Sequence, residues 1–167
     1  ELPREYEVSF VEEQTPLGTA GSLGLLRDRL DRTFIVTNCD IVMKLDYHDL
    51  LQQHAQQENV ITMVVSLKNY SIPYGVCEIE NGGRLKAMRE KPEFQILVNT
   101  GMYVLSPAAL ERLPAGRVVH MTDLIAAVGS DGGRVGVYPI GEGAWLDTGE
   151  WTEYNRTLRH FETLLRP

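Results

Sequence analysis

Apolar and polar positions along this chain predict a set of strands and helices before any chemistry is considered. The run Thr33-Phe34-Ile35-Val36-Thr37-Asn38-Cys39-Asp40-Ile41-Val42 is short and rich in β-branched residues. It reads as a buried parallel strand that delivers Asp40 at its carboxyl end. Upstream, Tyr6, Val8 and Phe10 alternate with Glu7, Ser9 and Val11, which predicts a half-buried strand over Tyr6 to Glu12, ending at Gln14-Thr15-Pro16. Leu17 to Ser22 is a small-residue loop leading into a helix over Leu23 to Leu30. After Asp40, a helix capped by Asp46 carries Tyr47, Leu50, Leu51 and His54 on one face, and Val60 to Leu67 is the next buried strand. Strand, helix and strand in this order form a βαβ unit.

The middle of the chain changes character. Tyr74 to Glu80 and Leu85 to Glu90 flank Asn81-Gly82-Gly83, a turn sequence that supplies the positive φ angles of an antiparallel hairpin. Val98 to Leu105 resumes as an apolar strand. Ser106-Pro107 starts a short helix through Leu113, and His120-Met121-Thr122-Asp123 opens another over Leu124 to Val128, with Thr122 or Asp123 as its cap. Val135 to Ile140 is a further strand. Glu150 to Leu165 reads as an amphipathic helix with Trp151, Tyr154, Leu158, Phe161 and Leu165 inward. The pattern is that of one layered α/β domain over residues 1–167.

Composition narrows the class. With 167 residues, 43% of them hydrophobic, the chain is long enough to bury a substantial core, and its formal charge of −7 argues against nucleic acid or an anionic membrane as partner. Cys39 and Cys77 have no CxxC spacing, so neither zinc nor a disulfide framework is indicated. No apolar segment reaches membrane-spanning length, and Glu1-Leu2-Pro3-Arg4-Glu5 lacks the order of a signal peptide. A soluble protein of the reducing cytoplasm is the expectation.

Three polar clusters punctuate predicted strand ends: Asn38 with Asp40, Glu90 with Lys91, and Asp147 with Thr148 and Gly149. Two carboxylates arriving from different strand ends suit Mg²⁺, which takes one or two protein carboxylates and completes its octahedron with water and substrate phosphates. A lysine beside them suits a sugar phosphate. Phosphoryl or nucleotidyl transfer by positioning and charge stabilisation is the chemistry this suggests. Plainer readings stand beside it: Asp40 as a turn cap, Leu17 to Ser22 as an ordinary helix entry, His48 and His54 as ordinary helix residues, and His120 to Asp123 as a cap rather than a sugar contact.

Taken in order, Leu17-Gly18-Thr19-Ala20-Gly21, Thr37-Asn38-Cys39-Asp40, Pro73-Tyr74-Gly75-Val76, Glu90-Lys91-Pro92, Asn99-Thr100-Gly101 and Trp145-Leu146-Asp147-Thr148-Gly149 resemble the sugar-1-phosphate nucleotidyltransferases. The resemblance runs from about Tyr6 to about Phe161. Asn-Cys-Asp in place of the commoner Gly-Asp resembles members whose catalytic domain follows a pair of CBS domains. The fold implied is a three-layer α/β/α, Rossmann-like nucleotide-diphospho-sugar transferase with a mixed, mainly parallel sheet. The roles implied are Leu17, Gly18, Thr19 and Asn38 at the nucleotide, and Asp40 and Asp147 holding Mg²⁺. Tyr74, Gly75, Glu90, Asn99, Thr100 and Gly101 would surround the sugar, with Lys91 on its phosphate. Asp40, Asp147 and Lys91 would carry the catalysis. A nucleoside triphosphate and a sugar 1-phosphate would react to give an NDP-sugar and pyrophosphate.

One part of the family pattern is missing. The glycine-rich GGxGTRL element and its companion Pro-Lys-Pro do not occur, and the nearest arginines, Arg27 and Arg29, fall in a predicted helix. A truncated catalytic domain lacking its first strands is the expectation, inactive alone. The strand over Phe34 to Asn38 would then be an exposed sheet edge, available for homodimerisation or strand exchange. A noncatalytic, sugar-nucleotide-binding regulatory module is the main alternative, and two metal carboxylates beside Glu90 and Lys91 weigh against it. A metal-dependent glycosyltransferase does not account for Glu90-Lys91-Pro92 or Trp145 to Gly149. Base and sugar identity are not encoded in any motif recognised.

Overall fold

Strand β3, Ile61–Ser71, is apolar without alternation because it is covered on both faces: Ile61, Thr62, Val64, Val65 and Ser66 are all buried. It lies inside a four-stranded sheet with β6 (Glu93–Leu105), β7 (Val135–Ile140) and β1 (Phe34–Thr37), in the order β1–β6–β3–β7. Parallel and antiparallel strands are mixed, as expected for this α/β class. The computed structural model describes residues 6–149. The helix expected over Glu150 to Leu165 therefore lies outside the described residues.

The chain divides into two compact units. The first comprises Glu1–Val36, His48–Thr62 and Tyr103–Gly136. Its core gathers Leu50 from helix α2 (Tyr47–Gln56), Leu105, Ala109, Leu110 and Leu113, and Met121, Leu124 and Val128 from helix α3 (Met121–Ser130). Arg27 ties this core to its surface by donating to the carbonyls of Leu110 and Leu113 at 2.9 and 2.6 Å. Within α2 only Leu50 and His54, one turn apart, are buried; Tyr47 and Leu51, expected on the same face, are exposed.

The second unit comprises Thr37–Tyr47, Met63–Met102 and Val137–Pro167. It contains an antiparallel ribbon of β2 (Ile41–Met43) with β8 (Trp145–Asp147). It also contains the expected hairpin of β4 (Val76–Ile79) with β5 (Leu85–Arg89), turning at Gly82 and Gly83, whose φ angles are 82° and 80°. No helix among the described residues is long and apolar enough to cross a membrane.

Three sequence expectations are corrected. The stretch from Thr33 to Val42 is two strands separated by a turn at Cys39 and Asp40, and β1 is half-buried because β6 is its one neighbour among the described residues. Tyr6 to Glu12 forms no strand: Phe10 is 90% exposed, and alternation without a pairing partner does not make a ladder. The helix expected over Leu23 to Leu30 starts earlier and ends sooner, as α1 (Gly18–Gly21) followed by a 3₁₀ turn over Ser22–Leu26, leaving Arg27 and Arg29 in a turn.

Candidate active site

The β2–β8 ribbon fixes where the two aspartates meet. Its register sets Ile41 opposite Asp147, so Asp40, immediately before β2, comes beside the end of β8. Thr148 locks the approach: its backbone N–H and its hydroxyl both donate to the Asp40 carbonyl, at 2.8 and 2.7 Å. Gly149 N–H donates to Asp147 Oδ1 at 2.9 Å, a local turn that aims this carboxylate. A Cβ on Gly149 would lie 2.7 Å from Asp40 Oδ2 and 3.2 Å from Asp147 Oδ1. Both oxygens thus converge on one point that only glycine leaves open.

Asp40 is exposed and Asp147 half-buried, and neither has an ion-pair partner among the described residues. Two convergent hard oxygens open to water fit a divalent cation that keeps part of its hydration, which is the binding habit of Mg²⁺. No group of three or more His, Cys, Asp or Glu side chains with metal-site spacing occurs among the described residues, so a closed zinc-type cage is absent there.

A second glycine shapes the ground next to Asp40. Gly101 has φ +84°, its carbonyl accepts from Asn38 N–H at 3.0 Å, and its N–H donates to Asn99 Oδ1 at 3.3 Å. A side chain there would collide with the Asn38 amide, 2.5 Å from the Cβ position. Asn38, Asn99 and Gly101 are therefore brought together as a unit. Thr100 is different: its hydroxyl donates to the Val64 carbonyl at 2.8 Å and is buried, so it anchors β6 to β3 rather than facing a sugar.

Glu90 and Gly75 also meet. Glu90 Oε2 lies 3.1 Å, and Met88 Cε 2.8 Å, from where a Gly75 Cβ would sit, so the glycine admits the carboxylate. Lys91 is exposed with φ 42°, one of two non-glycine residues with positive φ among the described residues, the other being Glu58. This left-handed backbone sits at the corner between β5 and β6. Tyr74 is exposed beside Gly75.

Leu17, Gly18 and Thr19 lie in the first unit, and the structure gives them internal work. Leu17 is buried; a Cβ on Gly18, at φ +78°, would lie 2.6 Å from the Val119 carbonyl oxygen; Thr19 Oγ1 accepts from Met121 N–H at 2.9 Å. Helix α3 is capped at His120, two or three residues before the caps expected, with Asp123 Oδ2 accepting from His120 N–H at 2.9 Å. His54, read as an ordinary helix residue, is buried between the hydroxyls of Thr62 and Ser106 at 2.9 and 3.1 Å, and burial lowers its pKa from 6.5.

Sequence reasoning missed Lys68. Its ammonium lies 5.1 Å from the centroid of the Trp145 ring and 3.8 Å from Glu142 Oε1. The available signal was parity: positions 62, 64 and 66 of β3 are wholly buried, and Lys68 continues the same face.

Comparison with known proteins places the chain in a family. Residues 2–163 match the family described as "Nucleotidyl transferase". The chain is 33% identical over 150 residues to mannose-1-phosphate guanylyltransferase catalytic subunit beta of Danio rerio, covering 86% of this chain and 41% of that protein. It is 30% identical over 176 residues to mannose-1-phosphate guanylyltransferase 1 of Arabidopsis thaliana, covering 99% and 47%. The chain thus spans less than half the length of these curated relatives. Among solved structures, HddC from Yersinia pseudotuberculosis superposes with a TM-score of 0.69 at 21% identity, over 96% of this chain and 70% of that one, which establishes a shared fold.

Proposed function

Because this chain belongs to the nucleotidyl transferase family, we propose that it forms part of an enzyme that joins a nucleoside triphosphate to a sugar 1-phosphate, releasing pyrophosphate. The observation that carries the reading is the convergence of Asp40 and Asp147 on Gly149, supported by the separate meeting of Glu90 with Gly75. The relatives at 30 and 33% identity are named for guanylyl transfer to mannose 1-phosphate, which makes GTP and mannose 1-phosphate the first pair to test.

In this reading a phosphate oxygen of the sugar 1-phosphate attacks the α-phosphorus and pyrophosphate leaves, with no protein nucleophile. Glu90 accepts hydrogen bonds from sugar hydroxyls beside Gly75 and Tyr74, and the Lys91 ammonium holds the sugar phosphate. Asn38 and Asn99, fixed on Gly101, border the same floor. Mg²⁺, held by Asp40 and Asp147, would neutralise charge on the reacting phosphates. Leu17, Gly18 and Thr19 would approach the nucleotide mainly through backbone, since their side chains are engaged elsewhere. The GGxGTRL element is absent from residues 1–167, so the activity is proposed for the whole protein, and the edge of β1 is where this chain would pair with a second copy.

The test is a screen of the whole protein for pyrophosphate release, crossing nucleoside triphosphates with hexose and hexosamine 1-phosphates. GTP with mannose 1-phosphate is expected to give the highest kcat/KM. No release with any pair would sink the reading.

A further inference from the structure

The segment that delivers Asp147 is short: residues 142–144 form a single 3₁₀ turn, and β8 is three residues long. Its backbone pairs with β2, and so short a segment gains further definition where something outside it also fixes a side chain. Trp145 opens β8, and Asp147, two residues on, projects from the same face of the strand. The indole is not fixed through its N–H, because Trp145 Nε1 is buried without a hydrogen-bond partner. It is gripped instead through its ring face, by the Lys68 ammonium at 5.1 Å from the centroid.

Lys68 suits that task. Its side chain is only 14% exposed, and its ammonium also pairs with Glu142 Oε1 at 3.8 Å, on the turn that immediately precedes Trp145. Asn69, the next residue of β3, donates to Glu142 Oε2 at 3.4 Å. The end of β3 therefore holds both ends of the segment 142–145. A long side chain emerging from a wholly buried strand face and spent on an aromatic ring is a costly way to fill space that an apolar residue would fill as well.

We propose that Lys68 is a positioning residue: through Trp145 and Glu142 it fixes the strand that presents Asp147 to Asp40, and so sets the affinity of the aspartate pair for a divalent cation. The inference rests on the reading of Asp40 and Asp147 as metal ligands. It adds a residue that touches neither metal nor substrate.

The test is Mn²⁺ binding by the whole chain, read from the electron paramagnetic resonance of the free ion, alongside the thermal melting temperature. Lys68→Met is expected to weaken Mn²⁺ binding about tenfold, the scale typical of outer contacts to metal ligands. Lys68→Arg, which can stack on the indole and pair with Glu142, is expected to restore it. Trp145→Leu should reproduce the loss, and the double variant should be no worse than either single change, because the two residues act as one device. Asp147→Asn separates the two levels of the reading. If Asp147→Asn weakens binding and Lys68→Met does not, the role of Lys68 is wrong while the metal site stands; if Asp147→Asn binds like the parent, the metal site and the inference both fall. A loss that arginine does not rescue, or a double variant with multiplied losses, also overturns it. Should Lys68→Met fail to fold, Trp145→Leu alone decides: unchanged Mn²⁺ affinity overturns the proposal.

Discussion

Gly18 and Gly149 each leave open the place of a Cβ, and the two regions differ in what occupies that place. At Gly18 it is the Val119 carbonyl oxygen, 2.6 Å away, which already accepts from Ala20 and Gly21 N–H at 3.0 and 3.2 Å. At Gly149 it is two carboxylate oxygens with no cationic side chain to neutralise them among the described residues. The first gap is a joint in which protein has satisfied protein. The second leaves two carboxylate oxygens beside the same gap, one of them, Asp147 Oδ1, held by the Gly149 N–H alone among the described residues. A glycine in a family motif is therefore not by itself evidence of a ligand; the atoms that converge on it decide.

The comparison breaks most visibly in catalysis. Asp147→Ala in the full-length protein is expected to lower kcat about 10²–10³-fold, the loss typical of removing one charge-stabilising group from a reacting centre. Steady-state pyrophosphate release measures it, and turnover near that of the parent would place Asp147 with the structural residues. Asp147 is half-buried at a strand end, so melting temperature should be measured in parallel.

Alanine at each glycine sharpens the contrast without touching a charge. Gly18→Ala imposes a left-handed backbone on an L-residue and drives its Cβ into Val119, so it should cost about 2 kcal/mol or more of stability. Gly149 has no positive φ, so Gly149→Ala should leave the melting temperature within a few degrees while pushing the two carboxylates apart and weakening Mn²⁺ binding about tenfold. Denaturant unfolding and Mn²⁺ titration of both variants give a two-by-two result. If Gly18→Ala loses metal binding with stability intact, the two regions have been assigned the wrong way round.

Much of this was legible in local pattern. The β4–β5 hairpin, α2, β3 and β7 follow from periodicity, turn glycines and β-branched runs, because each is decided by residues near in sequence. What failed depended on distant partners. Asn38 still donates its N–H to Gly101 of β6, but the chain then turns at Cys39 and Asp40 into a ribbon with β8, more than a hundred residues away. Neither pairing can be seen in the run from Thr33 to Val42. For the site, Asp40 and Asp147 were legible as strand-end carboxylates, but their shared focus at Gly149 was not, and Thr100 was placed with the sugar although its hydroxyl is consumed by Val64. Lys68 escaped because a single lysine at the end of an apolar strand looks like an exit to solvent.

The smallest effect comes from the buried cluster around His54 in the first unit, and its sign follows from the hydrogen bonds. Asn59 Nδ2 donates to Thr62 Oγ1 at 2.9 Å, and Ser106 Oγ donates to the Asn59 carbonyl at 3.0 Å. The Ser106 hydroxyl can then only accept from His54, so Nε2 carries the ring proton and Nδ1 accepts from Thr62. Neutral His54 completes this chain of donors and acceptors, whereas a second ring proton would oppose the Thr62 hydroxyl. Burial acts in the same direction and lowers the folded-state pKa below 6.5. Above 6.5 His54 is neutral folded or unfolded. As pH falls below that value the unfolded chain takes up a proton that the folded chain refuses, so stability declines, by at most about 1.4 kcal/mol per pH unit, until the lowered folded pKa is passed. Urea unfolding of the parent and of His54→Gln between pH 7.5 and 5.5 isolates the term, since His48, His120 and His160 are common to both. The parent should lose stability more steeply than the variant; equal slopes would mean that the ring of His54 is protonated in the folded protein as readily as in the unfolded chain.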